Sequence, residues 1–132
     1  MGFTRYWDRT NKPITPEFID AVNKVIEDCK KRGIVLRQGH DDPTPLVTNT
    51  EIMFNGNSEK HLGCESFFID NDNTGFNFCK TRGYPYDYAV RTVLKIAEKM
   101  GLVTNVSSDG EIGYVMSDDE FINVCAEDGV MI

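Results

Sequence analysis

Apolar residues recur every three or four positions along two long stretches of the chain, the spacing that places side chains on one face of an α-helix. The stripe of the first stretch comprises Phe18, Val22, Val25 or Ile26, and Cys29. Thr15 can cap its start, Pro16 suits the first helical position, and Gly33 can end it in a left-handed conformation. These features predict a first helix from about Pro16 to Arg32.

The second stretch predicts a longer buried face. Its stripe comprises Tyr86, Val90, Val93, Ala97 and Met100. We expect a helix from about Pro85 to Met100, with Gly101 as its stop.

Short strands are predicted around these helices, because segments rich in β-branched and aromatic residues are bounded by turn formers such as "HDDPTP", "NGNS" and "DNDNTG". They are "IVLR", "EIMF", "CESFFI" and "GFNFC" between the two helices, and "FTRYW", "TNVSS" and "IGYV" elsewhere. The order of elements indicates a single α+β domain over residues 1–132. We expect a mainly antiparallel sheet of about four to six strands, packed with two main helices and a short C-terminal helix.

Some strand segments carry apolar residues on both faces. Alternation places Cys64 and Phe68 on one face of "CESFFI", and Phe67 and Ile69 on the other. A sheet covered on one side only shows cleaner alternation. We therefore expect the second face to be covered by another element, a ligand or a second copy of the chain, and we predict a homo-oligomer, in its simplest form a homodimer.

The net charge of −7 is concentrated at the C-terminal end. Residues 1–99 carry 14 basic and 14 acidic side chains, whereas residues 100–132 carry seven acidic and no basic ones. Within the acidic segment 111–132, Ser117 and Glu120 form a capping box that predicts a short helix over about residues 118–126, closed by Gly129. The charge disfavours direct binding to nucleic acid. It leaves two alternatives. The acidic side chains can form a solvated face, or they can face a basic partner and mimic a phosphate backbone.

Other patterns exclude several classes of protein. The N-terminal sequence lacks the apolar core of a signal peptide, and no apolar run approaches the roughly 20 residues of a membrane span, so we expect a cytoplasmic protein without a membrane partner. The four cysteines form no C-x-x-C pair and are interpreted as reduced core residues. His40 and His61 occupy polar turns, where a solvated histidine is usual. "DNDNTG" has Thr81 where a calcium loop needs glutamate. We predict no metal and no cofactor.

Cys79 is the candidate nucleophile, because Lys80 and Arg82 could lower the pKa of its thiol. However, no histidine lies nearby in sequence, and the position six residues on is Pro85 rather than the arginine of a phosphatase cradle. The "FNFC" segment is typical of a strand that packs Cys79 in the core. We assign no catalytic residue, and an enzymatic activity around Cys79 or His40 stays a minor alternative.

The stretch "NFCKTRGYPYDYAVR", residues 77–91, surrounds the start of the second helix with cations and tyrosines. Lys80, Arg82 and Arg91 can join the exposed N–H groups of a helix start, which together favour a phosphate or carboxylate. Faces on which a base could stack are offered by Tyr84, Tyr86 and Tyr88, and elsewhere by Tyr6 and Trp7. A structural interpretation is also open. Asp87 and Arg91 are spaced for a surface ion pair, Tyr86 lies on the buried stripe, and the other cations can simply be exposed.

The strings "TRYW", "FNGN", "CESF", "FNFCKTRGYPYDYAV" and "VSSDG" occur in this order over roughly residues 3–110. This arrangement resembles a family of small uncharacterised proteins encoded by bacteriophages and prophages, with "FCKT…PYD" as its fairly specific signature. No activity is established for that family, so the resemblance implies no catalytic residues. Joined to the cationic stretch, it marks as candidate ligand-binding residues Arg5, Trp7, Lys80, Thr81, Arg82, Tyr84, Tyr86 and Arg91.

The resemblance implies a small accessory protein of the host cytoplasm that acts on host machinery or host defence. One hypothesis is a non-enzymatic protein that captures a nucleotide-derived defence signal in a cationic, aromatic pocket. Another is an interaction protein whose acidic C-terminal quarter blocks a basic or DNA-binding host protein. An accessory protein with no ligand is the third.

Overall fold

A computed structural model describes residues 2–39 and 42–127 of the chain. In chain order its elements are β1 (Thr4–Arg9), α1 (Pro16–Lys31), β2 (Leu46–Val47), β3 (Glu51–Phe54), a 3₁₀ turn (Ser58–Lys60), β4 (Phe67–Asp70), β5 (Gly75–Lys80), α2 (Asp87–Lys99), β6 (Val103–Ser108) and α3 (Asp118–Glu127). These elements confirm the predicted α+β class. The predictions made for His40 and Gly129 lie outside the described residues.

The strands form two sheets of three, in the orders β5-β1-β6 and β2-β3-β4. Every strand pair in the described ranges is antiparallel, as predicted, with the six strands divided between two small sheets. "IVLR" contributes only an isolated bridge between Arg37 and Asn55. "IGYV" forms no strand, since the Ile112 carbonyl accepts a hydrogen bond from Arg91 Nη1 at 3.1 Å instead of pairing with a neighbouring strand.

Local capping signals set the helix starts. In α1 the Thr15 hydroxyl accepts a hydrogen bond from an amide of the first turn at 3.2 Å. In α3 both bonds of the predicted capping box are formed, at 3.3 and 3.1 Å. Helix α2 begins at Asp87 rather than at Pro85, because a tighter turn precedes it in which the Asp87 amide donates to the Tyr84 carbonyl at 2.8 Å.

The core lies between the two long helices and the inner faces of the sheets. The predicted stripe of α1 is buried and comprises Phe18, Val22, Val25 and Cys29. Phe67 of β4 is central, with its ring centroid 5.3 Å from that of Trp7 and 5.1 Å from that of Phe54. Because Trp7 belongs to β1 and Phe54 to β3, this aromatic cluster joins the two sheets.

The faces turned away from the core are only partly covered. On β4 the predicted alternation is confirmed, since Phe67 and Ile69 are buried while Phe68 is 39% exposed. The face predicted to be covered is therefore open at Phe68 in the single chain. Across the described part of the chain, the helices are too short or too polar to cross a membrane.

Candidate anion-binding groove

A buried ion pair fixes the start of α2. Arg5 Nε and Nη2 each donate to a carboxylate oxygen of Asp87 at 2.8 Å, and the Thr81 hydroxyl donates to Asp87 Oδ1 at 2.7 Å. All three residues are buried. Bidentate, charge-assisted bonds of this kind are among the strongest in proteins. Asp87 therefore pairs with Arg5 of β1, and not with Arg91 as the helix-surface alternative expected.

Two of the predicted aromatic contacts also lie inside the fold. Trp7 packs in the core, and the buried Tyr86 donates its hydroxyl proton to the Glu65 carbonyl at 2.6 Å. The interpretation of Tyr86 as a core residue is thus confirmed. The polar atoms of Arg5, Thr81 and Tyr86 form hydrogen bonds within the fold. Together with the core residue Trp7, these residues stabilise the region around the connection between β5 and α2.

The three predicted cations do not converge. Lys80 stands opposite Thr4 in the β1–β5 pairing, on the face opposite to the buried Cys79. Arg91 lines a separate groove of about 370 Å³, which Arg5 also borders. In that groove Arg5 is neutralised by Asp87, and the Glu111 carboxylate adds a negative charge. The groove lined by Arg91 is therefore unfavourable for an anion.

Arg82 and Tyr84, in contrast, line one open groove of about 450 Å³. Its other walls are formed by Asn55, Ser58, His61 and Cys64 together with three glycines. We call it the Arg82 groove. Among the described residues that line it there is no carboxylate side chain. The pKa of the exposed Arg82 is raised, chiefly by a hydrogen bond with Tyr84, so the groove carries a permanent positive charge.

Two residues of the Arg82 groove have left-handed backbones. Arg82 has φ = 59° and His61 has φ = 58°. In residues other than glycine this conformation costs roughly 1–2 kcal/mol, and such strain clusters at functional sites. Neighbouring bonds hold both in place. The Arg82 amide donates to the Phe3 carbonyl at 3.1 Å, and the His61 amide donates to the Ser58 carbonyl at 3.2 Å.

Asn55 and Gly56 of the "FNGN" segment form part of the wall of the Arg82 groove. Asn55 Nδ2 donates to the Cys64 carbonyl at 2.9 Å, while Asn55 Oδ1 accepts from the amides of Cys64 and Gly56 at 3.0 and 2.7 Å. A Cβ on Gly56 would lie 2.7 Å from Tyr86 Cδ1 and closer still to the Leu62 carbonyl oxygen. The close approach of these backbones therefore requires glycine at this position.

Burial makes two of the cysteines chemically inert. It raises the pKa of the Cys79 thiol to about 12, and that of the Cys29 thiol to about 12 as well. Neither side chain is accessible, which confirms the interpretation of Cys79 as a core residue. A thiol with so high a pKa has almost no thiolate near neutral pH and is a poor nucleophile.

We expect iodoacetamide at pH 8 to alkylate the half-buried Cys64 of the native protein while Cys29 and Cys79 stay unmodified, because only the first is accessible. Peptide mass spectrometry over a time course measures each rate, and the same reaction in denaturant is the control in which all of them react. Alkylation of native Cys79 as fast as Cys64 would contradict its burial.

Part of the acidic C-terminal charge is used inside the fold. Asp118 is buried, accepts hydrogen bonds from Asn57 Nδ2 at 3.0 Å and from the Val35 amide at 3.4 Å, and has its pKa raised mainly by burial. Asp109 accepts from the amide of Thr4 at 3.0 Å and from the hydroxyl of Tyr6 at 2.7 Å. The exposed acids of residues 109–126 other than Asp109 are Glu111, Asp119 and Glu120.

The wall opposite Arg82 was not predicted from the sequence. His61 was interpreted as a metal ligand, an acid–base group or a solvated turn residue. The pairing of residues 55–64 with the β5–α2 connection could have been suspected only from the closely spaced glycines at positions 56 and 63. Within residues 2–39 and 42–127, no three histidine, cysteine or acidic side chains are grouped to hold a metal ion. Comparisons with protein-family models, curated proteins and solved structures found no significant match.

Proposed function

We propose that this protein binds, without turnover, a small phosphate-bearing ligand of nucleotide type in the Arg82 groove. The observation that carries the proposal is the joint placement of Arg82, Tyr84 and the accessible His61 in one groove, whose described lining residues include no carboxylate. A guanidinium is planar, always charged and rich in donors, which suits a phosphate.

The size and composition of the groove support a nucleotide-sized ligand. Its volume of about 450 Å³ falls within the roughly 300–1,000 Å³ of small-molecule sites. Tyr84 offers a ring on which a base can stack, and it is itself held by an edge-on contact with Phe121, with ring centroids 5.7 Å apart. The His61 imidazole adds a hydrogen-bonding group on the opposite wall.

We propose binding without turnover because the buried Cys79 thiol, with its raised pKa, is a poor nucleophile. In a phage accessory protein of the host cytoplasm, a groove of this kind serves to withdraw a nucleotide-derived host signal from its receptor. Asp118 is buried, so its carboxylate is not available at the surface for the alternative of a phosphate-backbone mimic.

Arg82→Asn is expected to weaken binding of a nucleotide roughly 10- to 100-fold, because the permanently charged, planar donor group that pairs with the phosphate is lost. Asparagine tolerates the left-handed backbone, so the fold is retained. A thermal-shift screen of inorganic phosphate, mononucleotides and cyclic nucleotides selects the ligand, since a ligand of the native state raises the melting temperature. Calorimetry then measures the affinity.

Arg91→Gln is the matched control, because Arg91 comes from the same stretch of sequence but lines the other groove. We expect its affinity to stay within about twofold of the original protein. The proposal is contradicted if the two variants lose affinity equally, or if no member of the screen shifts the melting temperature.

A further inference from the structure

Strand β5 leaves one of its edges open. It lies at the border of its sheet and pairs only with β1 among the described strands. Lys80 shows the direction of the backbone groups on this edge. Its N–H donates to Glu65 Oε1 at 2.7 Å and its carbonyl accepts from the Glu65 amide at 3.0 Å, both away from β1. Since these groups alternate along a strand, those of Phe76 and Phe78 point to the same open side.

The side chains of the same two residues are exposed on the outer face of the sheet. Phe76 is 65% exposed and Phe78 is 56% exposed. Tyr6 of β1 completes the group, with its ring centroid 6.2 Å from that of Phe76, which lies 6.1 Å from that of Phe78. A cluster of aromatic rings beside an unpaired strand edge is a feature that soluble monomers avoid.

The shape beside β5 suits another strand. A groove of about 320 Å³ follows this strand, lined by the two phenylalanines together with Phe68 and Glu65. Glu65 forms hydrogen bonds with the backbone of this edge only at Lys80, the last residue of β5. The backbone groups of Phe76 and Phe78, which also point outward, therefore remain for an incoming strand.

We propose that this edge pairs with β5 of a second copy of the chain. The two strands run antiparallel about a two-fold axis at Asn77, so that Phe76 lies opposite the partner's Phe78. The outward N–H and carbonyl groups of both residues then form backbone hydrogen bonds across the axis, in two closely spaced pairs. The two three-stranded sheets become one sheet of six strands, and the aromatic clusters meet on its outer face.

The distribution of charge favours a second copy as the occupant. The segment from Gly75 to Cys79 carries no charge, while Lys80 follows it and Asp72 lies in the turn that precedes it. Antiparallel pairing about Asn77 places Lys80 opposite the partner's Thr74, two residues from the partner's Asp72, and symmetry repeats this contact. A two-fold interface thus joins opposite charges at both ends.

The same face is a poor platform for nucleic acid. Tyr6 lies beside Asp8 on β1, and its hydroxyl donates a hydrogen bond to Asp109 Oδ1 at 2.7 Å. These two carboxylates repel phosphate, and Lys80 alone cannot balance them. The aromatic rings are therefore better explained by pairing between copies than by base stacking.

Analytical ultracentrifugation across a dilution series tests the proposal. We expect the unaltered chain to sediment with twice the mass of one chain. The double variant Phe76→Lys/Phe78→Lys places lysine opposite lysine at both pairs and is expected to halve the mass. The double variant Phe76→Glu/Phe78→Glu is expected to be monomeric in the same way, and mixing the two is expected to restore a dimer through opposite charges.

Val124→Lys is the control, because Val124 is an exposed apolar residue of α3 outside this edge, and it is expected to leave the dimer intact. Circular dichroism checks that every variant keeps its fold, which exposed substitutions permit. An unaltered chain that is monomeric at every concentration overturns the proposal. So does a lysine double variant that stays dimeric, or a mixture of the two charge variants that stays monomeric.

Discussion

Replacing Asp87 with alanine is expected to lower the free energy of unfolding by about 3–5 kcal/mol. The reason is that Arg5 would stay buried without its counter-ion, and the Thr81 hydroxyl would lose its acceptor. Only 9% of the Arg5 side chain and 5% of the Asp87 side chain are accessible, so water cannot replace the lost carboxylate. Urea unfolding followed by circular dichroism measures the change.

Glu27→Ala serves as the control, because Glu27 forms an ion pair with Lys30 that is mostly exposed. Exposed pairs contribute at most about 1 kcal/mol, and we expect no larger change. The double variant Arg5→Ala/Asp87→Ala is expected to lose less than the sum of the two single variants, since it leaves no buried charge alone. Additive losses would contradict the buried ion pair.

The second large effect is expected from Gly56→Ala, which should lower the free energy of unfolding by about 3 kcal/mol. The added methyl group would collide with the Leu62 carbonyl and with the Tyr86 ring, which itself is fixed in the core. Relief requires the 55–64 segment to move away from Tyr86, so the Arg82 groove would widen as well. Thermal unfolding and chemical denaturation both report the loss.

Gly113→Ala is the matched control, because nothing lies within 4 Å of a Cβ at that position. We expect a change of less than about 0.5 kcal/mol, since the site is exposed. Equal stability of the two alanine variants would show that the close approach around Gly56 is not present in solution.

Local signals in the sequence were sufficient to predict the helices. The Thr15 cap and the capping box of Ser117 and Glu120 act within one turn, and the structure forms the bonds that they predict. The antiparallel pairing was also predictable from the short strands and turn formers. Its division into two sheets was not, because β1 pairs with β5 and β6, which follow it by about seventy and a hundred residues.

The candidate site was harder to predict because its contacts are distant in sequence. The i, i+4 rule suggested Arg91 as the partner of Asp87, but Arg5, 82 residues away, forms a bidentate bond from β1. The left-handed backbones of Arg82 and His61 had no local signal either, since neither residue type is typical of that conformation in the way that glycine is. Only the fold brings them to one groove.

The "FCKT…PYD" signature and the "FNGN" segment acquire a physical explanation from these contacts. Asn55 and Gly56 of "FNGN" shape the groove, Thr81 of "FCKT" binds the carboxylate of Asp87, and Tyr86 of "PYD" bonds to the Glu65 carbonyl. We therefore expect substitutions within the signature to act mainly on stability. Arg82 stands in the gap between its two halves, where a change can affect binding alone.

The most direct test of the account is a nuclear magnetic resonance titration of the ¹⁵N-labelled protein with the best nucleotide of the thermal-shift screen. If the nucleotide binds in the Arg82 groove, we expect saturable shifts at the amides of Arg82, Tyr84, His61 and Cys64, with the amides of Arg91 and Lys95 unchanged. Saturable shifts confined to the Arg91 groove, or no shift at any of these amides, would contradict it.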